Sequence, residues 1–144
     1  NINSLSAEQL AAAQGSLDTV TLFEQIPALT KSKLVQAFKI SHWRLGEQVV
    51  QQDVYSDGFY MVAEGALSVF VNGNPVHRLS TWTTFGEMAL VDSEYVSRAT
   101  VVVESATARL LRLDRAMFFQ VMGSFEEDEA EEQGLKSPTS QRER

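Results

Sequence analysis

The residues best placed to do chemistry are Phe85-Gly86-Glu87-Met88-Ala89-Leu90 and, one loop later, Ser97-Arg98-Ala99-Thr100-Val101. A glycine that opens a short helix leaves backbone N–H groups and the positive end of the helix dipole exposed, which suits a single phosphate. The Glu87 carboxylate can accept hydrogen bonds from a sugar hydroxyl, and the Arg98 guanidinium can fork onto phosphate oxygens. Together they describe a grip on a ribose-phosphate. No Gly-x-Ser-x-Gly elbow, Walker loop or paired zinc ligand accompanies them. His42 and His77 stand apart in sequence, without an acidic cluster. Neither catalysis, a metal nor a cofactor is expected.

The elements that must hold these residues are mostly strands. Gln48 to Gln52, Phe59 to Val62, Leu67 to Val71, Thr100 to Val103 and Ala108 to Leu113 read as short strands, in a strand region opening at Trp43. Asn72-Gly73 ahead of Val76 predicts a tight hairpin, because both central residues of a primed turn need positive φ. Gly86 to Val91 interrupts the strands with one or two helical turns. Before them, Ser6 to Gln14 predicts a helix with Ser6 as N-cap, Gln9 at the capping-box position and Gly15 as its stop. A second helix spans about Thr30 to Ile40, with Leu34, Val35 and Phe38 on one face. A third covers Asp114 to Met122, with Asp114 as N-cap and Met117, Phe118 and Val121 at helical spacing. The methionines and Phe118, Phe119 and Phe125 read mainly as packing.

Composition bounds the partners. A chain of 144 residues with 44% apolar content is one domain's worth of globular protein. Its net charge of −7 argues against a general DNA or RNA binder but leaves room for one phosphate in a local pocket. There is no cysteine for a disulfide or thiolate site. No apolar run approaches the roughly 20 residues of a membrane span, and no signal peptide is evident, so a soluble cytoplasmic setting is the default. The start at Asn1 suggests a piece of something larger. Glu126 to Glu132, acidic except for Ala130, predicts a frayed helix end, and Gly134 to Arg144 a disordered tail.

An ordered series of residues carries a resemblance. It comprises Gly46-Glu47 with Val49-Val50-Gln51-Gln52, Asp57 with Phe59-Tyr60, Glu64-Gly65, Val69 to Asn72, Phe85-Gly86-Glu87, and Leu113-Asp114-Arg115 leading to Val121-Met122-Gly123. In this the chain resembles the cyclic-nucleotide-binding domain family, most of all the regulatory subunit of cAMP-dependent protein kinase. The resemblance implies an antiparallel jelly-roll β-barrel over residues 22–123, with flanking N-terminal helices (1–21) and a C-terminal helix running into an acidic end (124–144).

It also implies roles. Glu87 would hold the ribose 2′-hydroxyl, Gly86, Met88 and Ala89 would offer backbone contacts, and Arg98 would pair with the cyclic phosphate beside the Ala99 amide. Asp57 would sit behind Arg98 and fix its orientation. Phe125, Trp82 and Tyr95 are candidates to stack on or cap the base. Because Ala99 bears no hydroxyl, cAMP is favoured over cGMP, with another purine nucleotide or a nucleoside as alternatives. The implied partner is an effector domain or subunit: a kinase catalytic subunit, a channel or an exchange factor.

The chain departs from the pattern in two ways. Its loop from Glu87 to Arg98 is about two residues longer, so an alignment on Ala99-Thr100-Val101 would put Ser97 at the phosphate position. Counting back from Leu113-Asp114-Arg115 puts Arg98 there. Asp53, Ser56 and Trp82 replace expected glycines. These departures motivate a rival reading: a barrel without ligand, serving as a protein-interaction or structural module. A transcription factor of the bacterial cAMP-receptor type would need a helix-turn-helix after the barrel, where the chain instead turns acidic.

Overall fold

The computed structural model describes residues 2–123; Phe125, the acidic run 126–132 and the tail 134–144 lie outside the described residues. Eight strands form: β1 (Lys39–Arg44), β2 (Gln48–Val50), β3 (Gly58–Glu64), β4 (Leu67–Val71), β5 (Asn74–Leu79), β6 (Thr84–Phe85), β7 (Thr100–Val103) and β8 (Thr107–Asp114). They pair antiparallel in two four-stranded sheets, ordered β1-β8-β3-β6 and β2-β7-β4-β5. This is the expected jelly-roll arrangement.

Side-chain alternation on the central β3–β8 ladder decides where the cores lie. The register sets Phe59 opposite Leu113 and Met61 opposite Leu111. With a side-chain period of two, Phe59, Met61, Ala63, Leu111 and Leu113 face one way, while Tyr60, Val62, Ala108 and Leu110 face the other. The first set packs under the helices, and the second fills the space between the sheets with Leu67, Leu79, Val101 and Val103. The helices α1 (Ala7–Asp18), α2 (Ala28–Ala37) and α3 (Arg115–Met122) supply Leu17, Leu34, Val35 and Phe118 to the first cluster. Phe23 meets Phe59 edge-on at 5.6 Å between ring centres, an arrangement that suits the quadrupoles of both rings.

Local signals behave as their chemistry dictates. Ser6 and Gln9 close a capping box on α1, and the Asp114 carboxylate accepts the Met117 N–H at 2.7 Å. Asn72 and Gly73 adopt φ of 53° and 82°, the hairpin geometry expected.

Three boundaries differ. Gly15 does not stop α1, which continues to Asp18 because Ser16 and Leu17 are buried and Ser16 Oγ donates to the Trp82 carbonyl at 2.7 Å. The second helix ends at Ala37, and Lys39 and Ile40 belong to β1, paired with Arg112 and Leu111. The strand region therefore begins four residues before Trp43. Of the aromatic residues expected to pack, Phe119 is 55% exposed. Among the described residues, no helix is long and apolar enough to cross a membrane.

Candidate functional site

The interruption at Gly86 is a close approach between two backbones. Gly86 has φ of 87°, and a Cβ there would lie 2.9 Å from the Gly58 carbonyl oxygen on β3. Only glycine fits both demands. A 3-10 turn, Glu87–Leu90, follows at once, anchored by fully buried Ala89 and Leu90. Beside it opens a cleft of about 470 Å³. Val50, Val69, Phe85 and Val101 give it an apolar floor; Ser56, Gly58, Gly86, Tyr95, Ser97, Arg98 and Ala99 complete the wall.

Thus Gly86, Arg98, Ala99 and Tyr95 come together. Arg98 is exposed at the rim, and Glu87 is half-buried on the turn. Among the described residues, neither side chain is drawn into a hydrogen bond or ion pair. Both Ser97 and Arg98 line the cleft, but only Arg98 brings charge.

The lengthened loop is stitched down rather than loose. Tyr55 bridges to Val96. The Asp53 N–H donates to the Ser97 carbonyl at 2.7 Å, the Ser97 N–H to the Val54 carbonyl at 3.0 Å, and the Ser56 N–H to the Tyr95 carbonyl at 3.1 Å.

Several expected contacts are arranged otherwise. Asp57 does not sit behind Arg98: its carboxylate is bonded to Arg112, on the neighbouring strand β8. Burial disfavours the Arg112 charge. The Tyr60 hydroxyl, bonded at 3.1 Å, and the Asp57 and Asp114 carboxylates outweigh that and raise its pKa above the ordinary value. The Ala99 N–H donates to Ser97 Oγ at 3.3 Å, and that hydroxyl donates to the Ala99 carbonyl at 2.6 Å. Ala89 offers no free backbone group, since its N–H donates to the Gly86 carbonyl and its carbonyl accepts from Arg115. Met88 points to solvent, 51% exposed, rather than filling core. Trp82 packs against the helical cluster and is not in the cleft wall. Phe125 lies outside the described residues.

Sequence reasoning also missed a junction. Arg115, the first residue of α3, donates from Nε to the Ala89 carbonyl (2.8 Å), from Nη1 to the Tyr55 hydroxyl (2.7 Å) and from Nη2 to the Asp92 carbonyl (3.0 Å). Its guanidinium also stacks over the Tyr55 ring, 5.5 Å from the centre. One side chain thereby ties the Gly86 turn, the 53–56 loop and the C-terminal helix.

A family model described as "Cyclic nucleotide-binding domain" matches residues 40–125. The chain belongs to the cyclic nucleotide-binding domain family. It is 35% identical over 122 residues to a cAMP-dependent protein kinase regulatory subunit of Blastocladiella emersonii, covering 81% of this chain and 30% of that one. The chain spans 27–32% of the length of the cAMP-dependent protein kinase regulatory subunits it matches.

Among solved structures, it resembles the regulatory subunit of a cAMP-independent protein kinase A from Trypanosoma cruzi bound to guanosine. There the TM-score is 0.69 and the identity 19%, over 83% of this chain and 43% of that one. It also resembles the regulatory domain of Toxoplasma gondii PKA with cAMP, with TM-score 0.62 and 22% identity, over 88% of this chain and 50% of that one. At these identities the structural likeness establishes the fold.

Proposed function

We propose that this domain reversibly binds a cyclic purine nucleotide, cAMP in preference to cGMP, and relays its occupancy to an effector. The observation that carries the reading is the cleft itself. A left-handed glycine turn and an arginine without a competing carboxylate open onto the same apolar-floored space. Arg98 would meet the phosphate, Glu87 the ribose, and Tyr95 the base, with Ala99 offering no hydroxyl to a guanine amino group.

The relay follows from Arg115. A ligand that moves the 87–90 turn pulls on the Ala89 and Asp92 carbonyls and so on the start of α3. It can bias α3 only through unequal affinity for two positions of the turn. The relatives are named as regulatory subunits of a protein kinase, and a kinase catalytic subunit in the cytoplasm is the effector that fits this reading. Residues 22–123 act as the receptor unit, with 1–21 as a helical attachment.

In calorimetry, Arg98→Ala weakens cAMP binding at least about tenfold, the loss expected for one charge-assisted contact; unchanged affinity removes Arg98 from the site. The partnership of Asp57 with Arg112 and of the Ala99 amide with Ser97 favours a second reading, a barrel without ligand that acts as an interaction module. Thermal melting separates the two, because a bound ligand raises the midpoint by mass action. A flat response to cAMP, cGMP and guanosine alike supports the module.

A further inference from the structure

Ser97 stands between the lengthened loop and Arg98, buried in the wall of the cleft. Its main chain is held, because its N–H and its carbonyl are both bonded to the 53–54 segment. On the other flank of Ala99, Thr100 Oγ1 accepts from the Gln52 N–H at 2.9 Å. The Ala99 peptide is therefore fixed from both sides, and the Ser97 hydroxyl meets it in one arrangement.

That hydroxyl has one proton and two lone pairs. The proton goes to the Ala99 carbonyl at 2.6 Å, and one lone pair takes the Ala99 N–H at 3.3 Å. What remains for a ligand is a lone pair. Toward an anionic oxygen it is repulsive; toward a neutral hydroxyl it is an acceptor. The amide beside Arg98, the donor a phosphate would use, is meanwhile engaged. Its bond is long and so the weaker of the two, which lets a phosphate displace it at a cost.

We propose that Ser97 sets the selectivity of the cleft between phosphorylated and neutral ligands, and that it acts against Arg98. The arginine attracts a cyclic phosphate, while the serine withholds the Ala99 amide and accepts from a free hydroxyl of a nucleoside. This rests on the cleft being a nucleotide site. A cyclic nucleotide then binds less tightly, relative to its nucleoside, than Arg98 alone would allow.

Calorimetry with cAMP and adenosine on the unmodified protein, Ser97→Ala and Ser97→Thr supplies the test. Removing the hydroxyl frees the amide and tightens cAMP about two- to tenfold, the worth of one neutral hydrogen bond, while adenosine gains nothing. Ser97→Thr keeps the hydroxyl and with it the unmodified ratio of the two affinities. A merely structural role would lower both affinities together in the alanine variant, and that result overturns the proposal. Weaker cAMP binding alone overturns it too, since the hydroxyl would then be turning its proton to the phosphate. So does a threonine variant that shifts with the alanine one. Binding of neither ligand by any of the three proteins overturns the nucleotide site itself.

The Ala99 amide gives a second readout that needs no ligand. Its hydrogen exchange quickens in Ser97→Ala and not in Ser97→Thr. Exchange at the unmodified rate in the alanine variant would show that the hydroxyl does not hold the amide.

Discussion

Trp82 has φ of 69°, a conformation in which a large side chain is strained by roughly 1–2 kcal/mol. The same indole packs against the helical cluster, and its carbonyl accepts from Ser16, so packing and hydrogen bonding hold the strained backbone. The two contributions separate by substitution. Trp82→Ala loses the packing and keeps the strain; Trp82→Gly loses the packing and relieves it. In urea denaturation Trp82→Gly is therefore the milder change by about 1 kcal/mol, the reverse of the usual order in a helix or strand. Asp53, at φ of 67°, is under less strain, because Asp tolerates this region. Two positions where glycine was expected thus keep a glycine-like backbone without the glycine.

Asp57 shows what could not be read at this scale. Its acid was legible as a partner for an arginine, but the choice between Arg98 and Arg112 depends on strand pairing between residues 55 apart in sequence. The signal was present in Leu110-Leu111-Arg112-Leu113-Asp114, where a charge inside an apolar strand calls for a counter-charge nearby, and Asp57, just ahead of β3, supplies it. Recognising it required knowing that β8 lies between β1 and β3.

Among elements, those bounded by local chemistry were legible, including the Ser6 box, the Asn72-Gly73 hairpin, the Gly86 turn and the Asp114 cap. Boundaries set by tertiary burial were not. Gly15 lies inside a helix because residues on either side of it are buried or bonded, and long-range packing outweighs about 1 kcal/mol of intrinsic preference. The junction at Arg115 gives an expectation at this scale. Arg115→Met removes three hydrogen bonds from a partly exposed site and lowers stability by on the order of 1–2 kcal/mol. Hydrogen exchange then quickens in 87–92 and at the start of α3 together. Faster exchange in only one of the two segments would show that Arg115 does not couple them.

For the molecule as a whole, the −7 charge argued against a general DNA or RNA binder, and the order of motifs indicated a jelly roll. What composition could not reveal is that one sheet serves both cores. Tyr60 belongs to the barrel cluster on one face while Phe59 and Met61 meet the helices on the other. Phe59 is fully buried in the helical cluster, and Phe59→Ala costs about 3–5 kcal/mol in urea or thermal unfolding. Because the sheet is shared, that loss is felt in the barrel as well as under the helices.

Trp43 belongs to the barrel cluster and Trp82 to the helical one, so each side of the shared sheet carries its own fluorophore. With Trp43→Phe or Trp82→Phe, the remaining indole reports a single compartment. Coincident emission midpoints would mean that helices and barrel melt as one cooperative unit. Separated midpoints would give the order in which the two halves come apart.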